Sequence, residues 1–514
     1  MKTRNLFLSL FAFAALCACN KEAQPEVPAV LENDAFVAIN ICTAGENMTK
    51  ADPTDGGYVA GTSDEYTVNN AYFLFYNDGE FSQAAPYTLT FNAHPDKNTT
   101  DANVEMVSEA IIVLKGKTIT PNQILVLLNA SDDIKGAVMG KSLSEVQAIV
   151  ENYSDYTTNG FLMSNSVYHN GTKTVCAATI EGDNIKSTED AARTASVNVY
   201  VERVLSKVVV NQKSGMADKM DDDATVQVDG VDVALKHEIL GYAVTPQIDK
   251  SYLVKNIEGI YGTSGYWANW NDPSNYRSYW AVNPTGTNFT YSTFTQADNA
   301  YSTGEFFCYP QENVDQVNNP KLLVVAQIQN ASTSAAFTAF KYMDKFYTPE
   351  GFKNLALINL QNAGIKKNTT DEALVAADLE DYSPDVDDSD PYKPYDAALK
   401  LTTAVKAFMT SEAIAAAEAV LGDLGTAQCW KNGYCYYYVD IEHFGTFDGD
   451  HLSGLVRNHQ YQITVNSISG WGTPVYDPSD PIVPEKPADD EYSYVAATIN
   501  ILKWKVVNQN VDLQ

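Results

Sequence analysis

Basic residues are scarce in this chain. Lys and Arg number 34 against 65 Asp and Glu, for a formal net charge of -31 over 514 residues. A surface so acidic repels polyanions, which excludes nucleic acid as a partner. Arginine is rarer still, with none between Arg4 and Arg193. An arginine-restricted protease therefore has nothing to cut in that stretch. Catalytic signatures are missing as well: no GxSxG, P-loop or GxGxxG context occurs, and "HEIL" at His237 lacks the second histidine of HExxH. The chain is expected not to be an enzyme and to hold no cofactor or metal. Seven cysteines are too few and too scattered for a disulfide framework. Beyond the N-terminus no run is long and apolar enough to be a transmembrane helix.

What is present begins with "MKTRNLFLSLFAFAALCACNKEAQPE". Lys2 and Arg4 precede an apolar core, Leu6 to Leu16, that is too short to span a bilayer, and small residues then lead to a cysteine. This reads as an export signal. "LCAC" resembles a bacterial lipobox, in which Cys19 would be acylated and become the new N-terminus; the alternative is an ordinary secretory signal with incidental cysteines. An acyl chain tethers a protein to a membrane surface without making it span.

The length exceeds what one core supports, so two domains are expected. With 31 Tyr, 20 Phe and only 19% charged residues, the composition suits pleated, half-buried surfaces. The fold class expected is mainly β, with a few inserted helices.

After a Pro-containing tether, "AFVAINICTA" places Val37, Ile39 and Ile41 in alternation, the period of a strand. "GENMTKADPTDGG" follows, rich in Gly, Asp and Pro, and reads as an exposed, cuttable loop. "AYFLFYNDGEF" and "QILVLLNAS" are strand candidates. "SLSEVQAIVENY" breaks the pattern: Ser142 and Glu145 form a capping-box signature, and Val146, Ile149 and Val150 have helical spacing. "ASVNVYVERVLSKVVVNQK" carries Val197, Val199 and Val201 on one face and then Ser206, Val208 and Val210, a principal strand with the domain boundary close by. In the second half "ALKHEILGYAVTPQ", "KLLVVAQIQN" and "HQYQITVNSIS" read as strands. "YDAALKLTTAVKAFMTSEAIAAAEAVLG" reads as an Ala-rich helix or pair of helices.

Three features have a functional and a plain reading. "DVDDSDPYKPYD", Asp385 to Asp396, offers Asp385, Asp387 and Ser389 at calcium-loop spacing, but Asp390 stands where the loop glycine belongs and Asp396 where its glutamate belongs. A solvated acidic loop is the simpler account. Trp267, Trp270 and Trp280 cluster with tyrosines in "GYWANWNDPSNYRSYWAV", either to stack on glycans or anchor a host protein, or to pack beneath a long loop. Cys429 and Cys435 flank an Asn-Gly turn in "CWKNGYC", where a hairpin could join them in a disulfide; the alternative is two buried thiols.

The chain closes on a spacer, "DPSDPIVPEKPADDE", and a strand-like run, "YSYVAATINILKWKVVNQNVDLQ". Val495, Ala497, Ile499 and Ile501 alternate, and then the phase changes to Leu502, Trp504 and Val506, which predicts a bulge or bend. Such a strand either folds back on its own domain or is held out for another molecule.

Taken together, the lipobox, the strand before a cuttable loop, the two β-rich regions and the detached terminal strand resemble the fimbrillins of the Bacteroidetes. These are type V pilus subunits, and the likeness is closest to the major subunits of Mfa-type short fimbriae. "VYVERVLSKVVV", "GLVRNHQYQITVNSISGWG" and "TINILKWKVVNQNVDL" carry the likeness most specifically. The resemblance implies two transthyretin-like β-sandwiches, export as an outer-membrane lipoprotein, and cutting by a trypsin-like protease after a basic residue in the loop behind the first strand. Polymerisation through a neighbour's terminal strand follows.

Mapped onto this chain, the resemblance implies a signal peptide over 1–19, a lipidated propeptide over 20–50, domains over 51–205 and 206–480, and a linker with donor strand over 481–514. Cleavage falls between Lys50 and Ala51, where relatives carry arginine, so a protease accepting lysine is required. Val37, Ile39 and Ile41 form the removable strand; Ile499, Ile501, Leu502, Trp504 and Val506 form the donor. The expected product is a fimbrial subunit at the cell surface, partnered by copies of itself and accessory fimbrial subunits and supporting adhesion and biofilm formation. The rival reading is a surface lipoprotein, monomeric or at a fimbrial tip or anchor, that binds host glycans or proteins.

Overall fold

The computed structural model describes residues 35–43, 61–87, 92–93, 106–114, 120–151, 156–166, 168–169, 174–217, 225–256, 281–300, 304–308, 318–368, 371–385, 396–447, 450–484, 494–502 and 508–510. Strands dominate these residues and helices are few and short, so the fold is mainly β.

The first part of the chain builds one sheet from β1 (Ala35–Thr43), β2 (Ala71–Asn77), β3 (Glu80–Tyr87), β4 (Met106–Leu114), β5 (Gln123–Leu128), β6 (Met163–Asn165) and β7 (Val197–Arg203). Its order is β3-β2-β5-β6-β7-β1-β4, followed by Asn92–Ala93. β2 and β3 form a hairpin through Asp78 and Gly79, both at positive φ as a type I′ turn requires. Gln83 Nε2 on β3 donates to the Val113 carbonyl on β4 at 3.2 Å, although these strands lie far apart in the sheet order. The sheet therefore curls over, and Val37, Ile39, Phe73, Phe75, Ile112, Val126 and Val199 meet in one core.

The outer face of β2 and β5 is covered too. Tyr72, Leu74, Leu125 and Leu127 pack against Ile134 and Val138 of helix Asp132–Val138 and Leu143 and Val146 of helix Leu143–Gln147. Burial on both faces is why "AYFLFY" and "ILVLL" are continuous apolar runs with no polar alternation. The capping box expected at Ser142 is formed: Glu145 N donates to Ser142 Oγ at 3.3 Å, and Ser142 N donates to Glu145 Oε2 at 2.8 Å. The helix stops at Gln147, and Val150, read as a helical position, instead begins a short strand with Glu151.

The remaining strands include β8 (Ser206–Ala217), β9 (Leu235–Thr245), β10 (Lys321–Asn330), β11 (Tyr434–Asp440), β12 (Gln460–Ser469) and β13 (Tyr494–Leu502). One sheet runs Glu305–Cys308, β8, β12, β13, Asn508–Asn510; another runs β9, β10, β11, Thr473–Pro474. Val208, Val210, Tyr461 and Ile463 of the first share a core with Val244, Val324, Ile328 and Tyr437 of the second, which makes a β-sandwich. A further seven-stranded sheet packs with helices Pro349–Asn362 and Ser411–Gly422 around Phe340, Phe352, Leu360 and Leu421. In the Ala-rich segment, Asp396–Ala398 is a strand, and the helices are Thr403–Lys406 and Ser411–Gly422.

"VNVYVERVLSKVVVNQK" is not one strand. It breaks at Val204 and Leu205, both buried, and its halves enter different sheets. The break is held from both sides: Asn458 N donates to the Leu205 carbonyl at 2.9 Å, Arg203 N donates to Asn458 Oδ1 at 3.1 Å, and Lys207 N donates to the His459 carbonyl at 2.9 Å.

Cys429 and Cys435 do not form a disulfide; both are free and buried, which corrects the hairpin expectation in favour of two thiols. Asn432 and Gly433 do turn the chain at positive φ, but the turn connects two different sheets. Cys429 faces the helix-covered core with Phe340 and Leu421, while Cys435 sits in the sandwich core. Gly433 is required at the turn because a side chain there would strike the Ile328 carbonyl.

Candidate functional site

β1 occupies an internal place in its sheet. It pairs parallel with β7, from Ile39 opposite Val197 to Thr43 opposite Val201, and antiparallel with β4, from Ala35 opposite Leu114 to Thr43 opposite Met106. Taking it out would leave two facing rows of unpaired backbone N–H and C=O groups. It would also open the core, because Val37 and Ile39 are completely buried there. Full burial of such side chains stabilises by about 1.5–3 kcal/mol each.

The opposite face of β1 is closed by helix Glu189–Arg193. Phe36 and Ala38 are buried against Ala192 of that helix, with Ile111 and Val113 of β4 alongside. The helix is fixed at its start by Thr188, whose Oγ1 accepts from Ala191 N at 3.3 Å, and at its end by Thr194, whose Oγ1 donates to the Ala191 carbonyl at 2.8 Å. The strand thus lies in a slot: on one edge β7, with Ile185–Lys186 pairing antiparallel to Phe36 and Val37, on the other edge β4, floor the core, roof Ala192. Sequence reading found the inward residues by alternation but missed the roof. The Thr188 cap followed by Glu189 and Asp190 was the signal available for it.

The terminal strand lies in its own chain. β13 pairs antiparallel with β12, with Ile499 opposite Ile463, Ile501 opposite Tyr461 and Leu502 opposite Gln460. Of the two alternatives for this strand, the single chain shows the fold-back one: β12 offers it an edge and the sheet takes it. The ladder is irregular between Val465 and Ser467 of β12 and regular through Leu502, and the bend expected toward Trp504 and Val506 falls outside the described residues.

The two halves place a strand in the same way. β1 lies parallel to β7 and antiparallel to β4; β8 lies parallel to β12 and antiparallel to Glu305–Cys308. In each half the first strand is clamped between a later antiparallel strand and a still later parallel one. β1 differs in that the segment holding Lys50 lies between it and everything that follows.

Other expected site residues fall elsewhere. Cys19, Lys50, Ala51, Trp504, Val506 and the Trp267 to Trp280 cluster lie outside the described residues, and for Ile41 the backbone is described at its register opposite Ser108 and Val199. Of the acidic loop, Asp385 and Asp396 are described, paired at the ends of two short strands; 386–395 lie outside. Among the described residues no group of three or more His, Cys, Asp or Glu could hold a metal, and no helix is long and apolar enough to cross a membrane.

Residues 428–510, which include β11, β12 and β13, match the model for "Major fimbrial subunit protein type IV, Fimbrillin, C-terminal". That stretch is similar to the C-terminal region of fimbrillins. The matched residues end on the β12–β13 pair and its closing strand Asn508–Asn510. No curated protein matches the chain. Among solved structures it is similar to a fimbrilin (fimA) from Porphyromonas gingivalis W83, at 13% identity over 93% of this chain and 98% of that one, TM-score 0.37. The tip fimbrial protein Mfa3 from Porphyromonas gingivalis shares 10% identity over 91% and 99%, TM-score 0.31. A fimbrial assembly protein from Parabacteroides distasonis shares 12% over 58% and 83%, TM-score 0.29.

Proposed function

We propose that this protein is a structural subunit of a cell-surface fimbria, exported as a lipoprotein acylated at Cys19, cleaved between Lys50 and Ala51, and polymerised by strand exchange. The observation that supports this best is the slot of β1. A strand at the start of the chain lies inside a sheet, held by burial and backbone hydrogen bonds alone, and a single segment joins it to the rest.

In this reading the precursor is inert because both strand-binding edges are closed within one chain, by β1 in the first sheet and by β13 on β12. A trypsin-like protease that accepts lysine frees residues up to Lys50, and loss of β1 opens the slot. The terminal strand of a second copy, with Ile499, Ile501, Leu502, Trp504 and Val506, leaves its own β12 and fills that slot. Main-chain hydrogen bonds supply affinity and alternating side chains supply register. Residues 51–205 and 206–480 act as the two rigid domains of the repeating unit. Accessory subunits cap or anchor the fibre, which supports adhesion and biofilm formation without catalysis.

Two measurements decide it. The N-terminal residue of the mature protein on cells is expected to be Ala51, whereas an acylated Cys19 on surface material ends the stalk-subunit reading. Truncation after Asp490 is expected to give a folded, secreted chain that forms no polymer; polymers of that variant remove the terminal strand from the mechanism.

The pairing of β13 with β12 favours a second reading, a surface lipoprotein that stays monomeric or serves as tip or anchor and binds host glycans or proteins. A chain found on cells with residues 20–50 intact and no SDS-resistant ladder selects it.

A further inference from the structure

The strand that would leave and the strand that would arrive share a pattern. β1 reads Ala35-Phe36-Val37-Ala38-Ile39-Asn40-Ile41-Cys42, and β13 reads Val495-Ala496-Ala497-Thr498-Ile499-Asn500-Ile501-Leu502. Ile-Asn-Ile recurs in both, read in the same chain direction. At the two preceding inward positions Ala35 and Val37 become Val495 and Ala497, the same two side chains exchanged. On the roof side the constraint is size: Ala38 is completely buried against Ala192, itself completely buried, so that position accepts only a small residue. The same alignment brings Thr498 there. Sliding the donor by two residues toward its C-terminus puts Asn500 beneath Ala192; sliding it by two the other way puts Ala496 there but Ala497 at the place of the completely buried Ile39, which leaves a cavity; and sliding it by one puts every inward side chain on the wrong face.

Resting on the strand-exchange reading, we propose that the slot accepts the second copy in one register and one direction. Ile499, Asn500 and Ile501 replace Ile39, Asn40 and Ile41, so that the donor runs parallel to β7 and antiparallel to β4. Thr498 lies under Ala192 of helix Glu189–Arg193, and Leu502 follows at the position of Cys42. Floor and roof together gauge the register: at the completely buried place of Ile39 the floor is filled by Ile499 but left hollow by Ala497, and at Ala38's place the roof refuses the larger Asn500.

Cross-linking of the processed full chain tests this. In β1 Asn40 stands opposite Glu109 of β4, so the proposed register sets Asn500 of the donor opposite Glu109 of the acceptor. Directly opposed antiparallel residues have the Cα separation a disulfide needs. A chain carrying Asn500→Cys and Glu109→Cys, assembled and oxidised, is expected to give ladders that survive boiling in SDS without reductant and collapse with it. Chains carrying Glu109→Cys with Thr498→Cys, or with Leu502→Cys, are expected to give monomers after boiling. Cross-links in either shifted chain and none in the Asn500 chain overturn the register.

A second variant guards against misfolding of the cysteine chains. Replacing Val495 to Leu502 by the β1 sequence AFVAINIC is expected to preserve polymer formation, and Thr498→Trp to abolish it while leaving secretion and cleavage intact. Normal polymers from Thr498→Trp also overturn the proposal. If the unmodified, Lys50-cleaved chain forms no SDS-resistant polymer, the strand-exchange reading itself fails, an outcome distinct from polymers with another register.

Discussion

Glu65 Oε1 lies 2.5 Å from Lys207 Nζ, with both side chains buried, and so joins the start of the first sheet's loop to the first strand of the second half. Arg203 adds to it, donating from Nε to the Glu65 carbonyl at 2.7 Å. The pair sits at the break between β7 and β8, where a rigid joint would keep a fibre's repeat constant. Removing one member of a buried pair strands the other charge, which costs about 3–5 kcal/mol. Glu65→Ala is expected to lower stability by that amount in urea unfolding. A change below about 1 kcal/mol, the size of an exposed pair, rejects a structural role for the joint.

Ile39 makes a prediction that depends on processing. In the uncleaved precursor Ile39→Ala should cost about 2–5 kcal/mol, as for other fully buried Ile truncations. In the chain cleaved after Lys50 the residue is gone, and the variant should melt with the wild type. Equal effects in both forms mean that β1 stays bound after cleavage.

Glu145 gives a pH signature. The Ser142 backbone N–H, with Lys141 and the Ser142 hydroxyl, holds its carboxyl down at about 2. A folded value below the unfolded one means that the cap's contribution is fully present above the ordinary carboxylate range and is lost as pH falls toward about 2. Amide exchange within Leu143–Gln147 should therefore be faster in Glu145→Gln than in wild type at neutral pH, and the difference should vanish in strong acid. A difference that persists there sinks the assignment to the charged cap.

Burial pushes the thiols of Cys429 and Cys435 up to about 12. They stay protonated and poor nucleophiles in the folded protein. Alkylation at mildly alkaline pH should spare both until the chain is unfolded, after which, without any reductant, both should be labelled. Recovery of a peptide with the two joined contradicts the structure.

Several elements were legible because one local rule governs each. Val37 and Ile39 alternate, Ser142 and Glu145 cap a helix, and "QITV" alternates against a single core. Others were hidden because the deciding contact is distant. Val204 and Leu205 continue the apolar pattern of "VYVERVLSKVVV", and Asn458 and His459, from far along the chain, hold the break there. The Asn-Gly turn at Asn432 and Gly433 was legible, but not that its two arms enter different sheets and separate Cys429 from Cys435.

By itself the sequence determined the mainly β class, the strand character of β1 and β13 and the strongly acidic net charge, since periodicity and composition are read without the fold. Only the tertiary structure decided that β1 lies inside its sheet beneath Ala192 and that β13 rests on β12. Alternation tells which side of a strand is apolar. Which edge receives the strand, and what closes over its other face, depends on backbone groups brought together from distant parts of the chain.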